Sequence, residues 1–260
     1  MITISIITIC YNNLNDLEKT CKSVDEQIVS PFEHIIINGS SNNEIESWAE
    51  KKDHPVYRYF VHEKDNGIAD AFNKGILKSK GEVIHLLNAG DIYAKDSVLQ
   101  TVIEFFEANT DIQWISAKIR LSRGGEKVII GKPFDKNKLY RGMRSVLHPT
   151  YFLKRSVYNR VGYFSSNWKI AMDYDLLCRL GNEPYAFIPD LFIDFDDTGI
   201  SNTAYVRSLQ ENLAVYKSHF GKSILAYAWN LRLYLLHYLL SSKLGKWLFQ
   251  LKKRIGLENF

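Results

Sequence analysis

Gly81-Glu82-Val83-Ile84-His85-Leu86-Leu87-Asn88-Ala89-Gly90-Asp91 is the stretch on which the reading of this chain turns. Val83–Leu87 is short and mostly apolar, as expected of a strand buried on both faces of a parallel sheet. It stops abruptly at Asn88-Ala89-Gly90-Asp91, residues that favour turns. A carboxylate beside a glycine at the C-terminal end of a buried strand also stands where open α/β sheets bind ligands. Such an oxygen can hold Mg²⁺ or Mn²⁺ against a diphosphate. The choice between a plain turn and a ligand loop rests on the remaining sequence.

Upstream, Ile2–Ile9 reads as a first strand ended by Tyr11-Asn12-Asn13. Leu14, Leu17, Cys21 and Val24 then recur at helical spacing. His34–Ile37 is a second strand broken by Asn38-Gly39-Ser40-Ser41. A polar helix near 43–51 and a strand at Val56–Val61 follow, then Glu63–Gly67 and a helix over Ile68–Leu77. With the helix that runs to about Asn109, the order is β-α-β-α-β-α-β-α, the pattern of a doubly wound sheet with its binding loops along one edge. Those loops carry Thr8, Tyr11 and Asn12; Asn38 and Ser40; Asp65, Asp70, Asn73 and Lys74; and Asn88 and Asp91. Polar groups converging there suit a base, a ribose and a diphosphate. Neither a dinucleotide glycine fingerprint nor a P-loop is present, so phosphate charge falls to metal and Lys/Arg.

Downstream the rhythm changes. Gln113–Ala117 and Lys127–Gly131 read as strands joined through Arg123-Gly124-Gly125, Thr150–Leu153 as a short strand, Ser156–Val161 and Met172–Leu180 as helices, and Ala186–Asp194 as a strand. Ala204–Phe220 and Ile224–Ile255 are helical by pattern. The second is rich in Leu, Tyr and Trp, but Arg232, His237, Lys243 and Lys246 interrupt it. Its uncharged runs fall short of the roughly 20 apolar residues of a spanning helix. It either packs on the globular part or lies in a membrane interface.

Composition bounds these readings. A chain of 260 residues with 46% hydrophobic and 24% charged residues can bury a full core. Three scattered cysteines, Cys10, Cys21 and Cys178, suit a reducing compartment and neither a disulfide framework nor a zinc site. The N-terminal stretch lacks the basic region and cleavage site of a signal peptide, so a cytoplasmic location is expected. The net charge of +4 is unevenly placed: no acidic residue lies between Glu211 and Glu258, where eight Lys and Arg fall. That asymmetry points to an anionic partner surface or a basic tail.

The segments Ser5–Asn12, Ile35–Ser41, Asp65–Gly75 and Gly81–Asp91, in this order, closely resemble the family 2 glycosyltransferases of the GT-A fold, especially bacterial enzymes of surface-polysaccharide assembly. Each motif alone is weak; four in order are specific. The resemblance continues through His148-Pro149-Thr150 and Met172–Leu177 and covers about residues 2–200. It implies an α/β GT-A nucleotide-diphospho-sugar transferase fold, a Rossmann-like three-layer sandwich around a mostly parallel sheet. Residues 1–110 would be the nucleotide-sugar half, 111–202 the acceptor half and 203–260 a C-terminal helical extension.

By the same resemblance, Thr8, Tyr11 and Asn12 line the nucleotide site. Asn38 stands where the family usually has a base-reading aspartate, which puts the base identity in doubt. Asp65, Asp70, Asn73 and Lys74 match the part that holds ribose and diphosphate. Asn88-Ala89-Gly90-Asp91 replaces an Asp-x-Asp-type motif and leaves Asp91 as its carboxylate metal ligand, with Asn88 in the first acidic position. Asp173 matches the second member of an acidic pair that supplies the base; Met172 replaces the first, and Asp175 is the fallback. An inverting transfer needs one such base, with Mn²⁺ or Mg²⁺ at the leaving diphosphate.

The implied partners are a nucleotide-diphospho-sugar, most plausibly UDP-linked, and a glycan or lipid-linked glycan acceptor. Peripheral contact with an anionic membrane is compatible with the basic C-terminal segment, as is a homo-oligomer; no nucleic-acid partner is expected. Ser201 matches a family loop near the diphosphate. His148 reads as a phosphate or acceptor contact or as a structural histidine. Asp194, Asp196 and Asp197 suggest a metal cluster or, more ordinarily, a solvated loop. Trp114 and Trp168 read as packing before sugar stacking, Trp168 being the better stacking candidate. Two rivals remain at this level: a sugar-phosphate nucleotidyltransferase, which lacks its Gly-rich phosphate loop here, and a degenerate nucleotide-sugar-binding scaffold.

Overall fold

The structure, a computed structural model, describes residues 1–123, 126–143, 146–195, 204–242 and 245. Its first half alternates as the sequence pattern requires: β1 (Ile4–Cys10), α1 (Leu14–Asp25), β2 (Glu33–Asn38), α2 (Glu44–Lys51), β3 (Arg58–His62), α3 (Ile68–Lys78) and β4 (Val83–Leu86). β5 (Ile92–Tyr93), α4 (Val98–Ala108), β6 (Trp114–Arg123), β7 (Glu126–Ile130), β8 (Phe152–Lys154), α5 (Arg155–Val161), α6 (Met172–Arg179) and β9 (Tyr185–Asp194) follow. Two helices, α7 (Tyr205–Phe220) and α8 (Ile224–Ser241), end the described chain.

One sheet runs through both halves in the order β3-β2-β1-β4-β8-β6-β9-β5, with β7 on β6. The first four strands are mutually parallel. Beyond them the sheet is mixed: β8 is antiparallel to β4 and to β6, β9 is parallel to β6, and β5 is antiparallel to β9. β5 follows Asp91 directly, and its Ile92 pairs with Asp194. The loop ending β4 is therefore carried to the far edge of the same sheet. Every residue of β2 and β4 is buried, as their apolar runs imply. One core cluster packs α3 and α6 against one face of the sheet, and a second packs α4 against the other.

Three polar networks run through this interior. His85 is fully buried in β4, where an unpaired imidazole would cost about 1–3 kcal/mol. Its Nε2 donates to Pro149 O at 2.9 Å, which leaves Nδ1 to accept from Tyr93 Oη at 2.7 Å. Burial lowers the His85 pKa to about 3, so the ring is neutral. It pins the His148-Pro149 turn and β5 to the central strand.

Deeper under the loop edge, Arg58 Nε donates to His34 Nδ1 at 3.0 Å, and its terminal nitrogens reach both oxygens of Asp25. A guanidinium only donates, so His34 carries its proton on Nε2 and gives it to Thr8 Oγ1 at 2.9 Å. Glu33, also buried, ties three segments together: its carboxylate accepts from Ser5 Oγ at 2.6 Å, from the Lys80 and Gly81 N–H groups, and from Tyr59 Oη. Gly81 has no room for a side chain here, since a Cβ would lie 2.7 Å from Ser5 N.

Candidate active site

The parallel strands end together, with Cys10 opposite Asn38 and Asn38 opposite His62. The loops that leave them interlock. Asn12, at a left-handed φ of 53°, donates its backbone N–H to Ser40 Oγ at 2.8 Å, and its side-chain amide exchanges hydrogen bonds with Ser41. Asn38 Oδ1 accepts from Ser40 N at 3.1 Å, and its Nδ2 lies 2.9 Å from His62 Nδ1. The Asp65 carboxylate lies over Gly39, where a Cβ would meet Asp65 Oδ2 at 1.8 Å; glycine is the residue that leaves this space. Tyr11 stands 62% exposed at the rim. Tyr11, Asn12, Asn38, Asp65, Asn88 and Asp91 thus share one edge.

Four other candidates are engaged elsewhere. Thr8 is fully buried and its hydroxyl is taken by His34, so it supports β1 from inside rather than lining the edge. Asn73 faces the second half of the chain: its amide donates to Phe164 O and accepts from Phe164 N, both at 2.9 Å, clasping α3 to the segment before α6. Lys74 Nζ is held by Glu63 at 3.0 Å, Asp70 at 3.5 Å and Lys64 O at 2.7 Å, so its charge is already met by two carboxylates. Asp70 accepts from Asn66 N, which with Lys74 keeps its pKa below the ordinary value.

The Asn88–Asp91 loop is anchored from α1 by a residue that carries no sequence signal, Thr20. Its buried hydroxyl accepts from Gly90 N at 2.9 Å and donates to Asp91 O at 2.8 Å. Gly90 has φ 106°, a region L side chains rarely adopt. The missing middle carboxylate of the motif therefore reflects a turn position. Asp91 is 2% exposed. Beside it in the loop, Asn88 Oδ1 is buried with no hydrogen-bond partner among the described residues. No group of three or more His, Cys, Asp or Glu that could hold a metal occurs among the described residues. One carboxylate with a neutral amide oxygen suits a hard divalent cation that completes its shell with water and substrate phosphates, and does not make a protein cage.

Asp173 opens α6. Its Oδ1 accepts from Tyr174 N at 2.8 Å, yet burial outweighs that bond and raises its pKa to about 6. Met172 is 6% exposed and belongs to the same core cluster as Ala69 and Phe72 of α3. An acid at position 172 would be desolvated there, which accounts for the incomplete acidic pair. Asp175 is no free base: Arg179 donates to its Oδ2 at 2.8 Å and His219 Nε2 lies 2.8 Å from Oδ1. The two acids on one helix stand in different surroundings.

The segment leading into α6 is held from α7. Glu211 Oε2 accepts from the consecutive N–H groups of Lys169, Ile170 and Ala171 at 3.0, 2.7 and 3.1 Å. Burial alone would raise the Glu211 pKa; these donors and Arg207 outweigh it and hold it below its ordinary value. A helical pattern read from sequence shows α7 but not what Glu211 grips. α8 packs on α7, with Asn230 Nδ2 donating to Leu209 O at 2.8 Å. The C-terminal helices therefore pack on the globular part, while Leu231, Leu235 and Tyr238 of α8 stay exposed.

His148 is buried against Phe72, Tyr151 and Phe164. Burial lowers its pKa to about 4, so it brings no positive charge to a phosphate at neutral pH. Trp114 is fully buried among Phe134, Tyr151 and Tyr185. Trp168 packs partly buried against the α3–α6 core. Asp194 is gripped by Arg120 through two bonds of 2.5 Å; Asp196, Asp197 and Ser201 lie outside the described residues.

A parallel nucleotide-type half joined through β8 to a mixed half, with a loop edge of this composition, is the GT-A architecture. The chain belongs to glycosyl transferase family 2, whose model matches residues 5–169, and is a glycosyltransferase. It is 29% identical over 205 residues to the uncharacterized glycosyltransferase Rv1514c of Mycobacterium tuberculosis (strain ATCC 25618 / H37Rv), covering 77% of each chain. Among solved structures it is similar to the mannosyltransferase PcManGT from Pyrobaculum calidifontis, in complex with GDP-Man and Mn²⁺. The TM-score is 0.65 at 17% identity, covering 99% of this chain and 81% of that one. It is also similar to S. aureus TarS 1-349 in complex with UDP-GlcNAc, with a TM-score of 0.57 at 13% identity, covering 84% of this chain and 67% of that one.

Replacing Glu211 by Ala strands three N–H groups, of which water can reach part. The expected loss of unfolding free energy is about 1–3 kcal/mol, measured by urea denaturation. Glu211→Gln, which keeps an acceptor oxygen, should recover about half. Equal stability of both variants and the parent would remove the clamp from this account.

Proposed function

We propose that this chain transfers a sugar, with inversion, from a nucleoside-diphosphate donor to a hydroxyl of a glycan or lipid-linked glycan in surface-polysaccharide biosynthesis, with Asp173 as the base. The observation that carries this reading is the Asp173 carboxyl itself, held at the start of α6 with its pKa raised by burial to about 6. A base with a pKa near ambient pH is ionised yet still a competent proton acceptor. Ionised Asp173 takes the proton of the acceptor hydroxyl as that oxygen attacks the anomeric carbon. The bond from that carbon to the diphosphate oxygen breaks, and the nucleoside diphosphate leaves with the electron pair.

Donor binding falls to Tyr11, Asn12, Asn38 and Asp65, with a UDP-sugar as the first donor to try. The donors named for the two similar structures, GDP-Man and UDP-GlcNAc, support the class. Asp91 and Asn88 Oδ1 would hold Mn²⁺ or Mg²⁺, which supplies charge to stabilise the leaving diphosphate. Thr8, Asn73, Asp70 and Lys74 act by holding the loops and helix around the donor.

Asp173→Asn should keep donor binding within about twofold and lower transfer by a factor on the order of 10²–10⁴. In the parent, transfer should fall about tenfold per pH unit below about 6, as the base protonates. A variant with parental turnover, or a rate flat from pH 7 to 5, would rule out this base. Asp91→Ala should abolish the difference in nucleotide affinity between Mn²⁺ and EDTA buffers, read by calorimetry with UDP, GDP and dTDP. An undiminished metal effect would move the cation elsewhere.

Peripheral contact with an anionic membrane is part of this proposal. No helix among the described residues is long and apolar enough to cross a membrane. Leu231, Leu235 and Tyr238 recur at helical spacing on α8 and are each at least 59% exposed. Trp229 and Leu233 of the same helix face pocket-lining residues of α7, so truncation would damage packing. Leu231→Ser/Leu235→Ser should instead lower co-sedimentation with anionic liposomes about tenfold without changing the melting temperature. Unchanged sedimentation would count against contact through this face.

A further inference from the structure

A cavity of about 440 Å³ lies between residues 132–143, Val146 and Leu177 of α6. None of its lining residues comes from the four strand-end loops that form the donor edge. Its chemistry is cationic. Lys132, Lys138 and Arg141 line it, and Asp135, paired with Lys138 at 2.7 Å, is the single acidic residue among the described residues of its lining. Lys132 and Arg141 have no carboxylate within ion-pair distance among the described residues.

Arg141 is also built into place. Its guanidinium lies 5.1 Å from the Tyr140 ring centroid and 5.0 Å from that of Trp229 on α8, and its Nε donates to Tyr140 Oη at 2.9 Å. Stacking of this kind fixes the guanidinium plane and leaves its terminal N–H groups to donate in a fork that matches phosphate oxygens. The cavity is coupled to the base. Leu177 on its wall is one helical turn, about 6 Å along the axis, from Asp173. Val146 on another wall accepts through its carbonyl from Tyr151 Oη, whose phenol is held above its ordinary range by burial first and then by the charge of Asp173.

We propose that this cavity is an acceptor subsite for a phosphate group, so that the acceptor is a phosphate-bearing glycan or a glycan carried on a polyprenyl diphosphate. The inference rests on Asp173 being the base of the proposed transfer, since it is the position of this cavity against Leu177, one turn along α6 from that residue, that makes its cations acceptor contacts. Two unbalanced cations in a recess draw an anion in and hold it by charge-assisted hydrogen bonds. The phosphate so held sets which hydroxyl of the acceptor reaches Asp173. Trp229 gives α8 a second role here, as the platform for Arg141.

The test titrates four probes into the full chain by calorimetry: farnesyl diphosphate, N-acetylglucosamine 6-phosphate, and their uncharged counterparts farnesol and N-acetylglucosamine. Parent, Lys132→Glu and Arg141→Met are compared, with Mn²⁺-dependent nucleotide binding followed in each. At least one phosphate probe should bind the parent more tightly than its uncharged counterpart, and each variant should weaken it about tenfold or more. Nucleotide affinity should stay within about twofold. Which phosphate probe responds distinguishes a lipid diphosphate from a glycan phosphate. Variants that bind like the parent, absence of any preference for phosphate, or parallel loss of nucleotide and probe would each overturn the subsite. Lys132 is exposed, so Lys132→Glu keeps the test decisive if Arg141→Met does not fold. Failure of the transferase reading shows separately, as absence of nucleotide binding in the parent.

Discussion

The N–H groups of Lys169, Ile170 and Ala171 point at one carboxylate oxygen of Glu211, and the placement of Asp173, the proposed base, follows from that convergence. Three successive amides ahead of a helix start have no carbonyl partners of their own. Met172 enters the core directly after them, so the chain is fixed on both sides of the turn that delivers Asp173. On the sheet side, the Asn73 amide closes a two-bond clasp on Phe164, tying the same segment to α3. Asp173 is thus located by one residue from α3 and one from α7.

The loop edge proposed to bind the donor follows the same economy from beneath. A buried guanidinium is tolerated when it is paired and fully hydrogen-bonded. Arg58 meets that condition through Asp25, His34 and Cys21 O. The chain of bonds continues through His34 to Thr8 and so joins β3, β2, β1 and α1. Thr20 then carries the anchoring from α1 up to Gly90 and Asp91. A loop fixed by its backbone in this way can present one carboxylate and one amide oxygen without a surrounding cage of acids.

Much of the fold was legible because buried parallel strands write themselves as unbroken apolar runs; Val83–Leu87 and His34–Ile37 are such runs. The mixed pairing beyond β4 was not. Phe152–Lys154 is three residues long, and nothing in its composition states that it lies antiparallel between β4 and β6. β5, of two residues, left no periodic signal at all. Motif residues were legible as a set, whereas their individual partners depended on tertiary contacts. Thr8 and Asn73 carry the right chemistry at the right spacing, yet Thr8 meets His34 and Asn73 meets a backbone 91 residues away. Thr20, Glu211 and Arg141 were missed for the converse reason: each is an ordinary helix or loop residue until a distant segment supplies its partner.

Asp173 and Asp175 show how the environment separates groups that sequence cannot. Both are aspartates in the first turn of α6, two residues apart, so helical geometry turns them to different sides. Asp175 faces α7 and the Arg179 side chain, where two donors take both of its oxygens and bind it as a structural anion. Asp173 receives bonds from the helix-start backbone alone among those resolved, and the loss of water there outweighs them. A carboxylate whose two oxygens are both taken by protein donors is engaged in structure and is not free to meet a substrate hydroxyl. One that is desolvated and lightly bonded gains by taking a proton. Of the two acids, burial without a cation partner makes Asp173 the one suited to the proposed role of base.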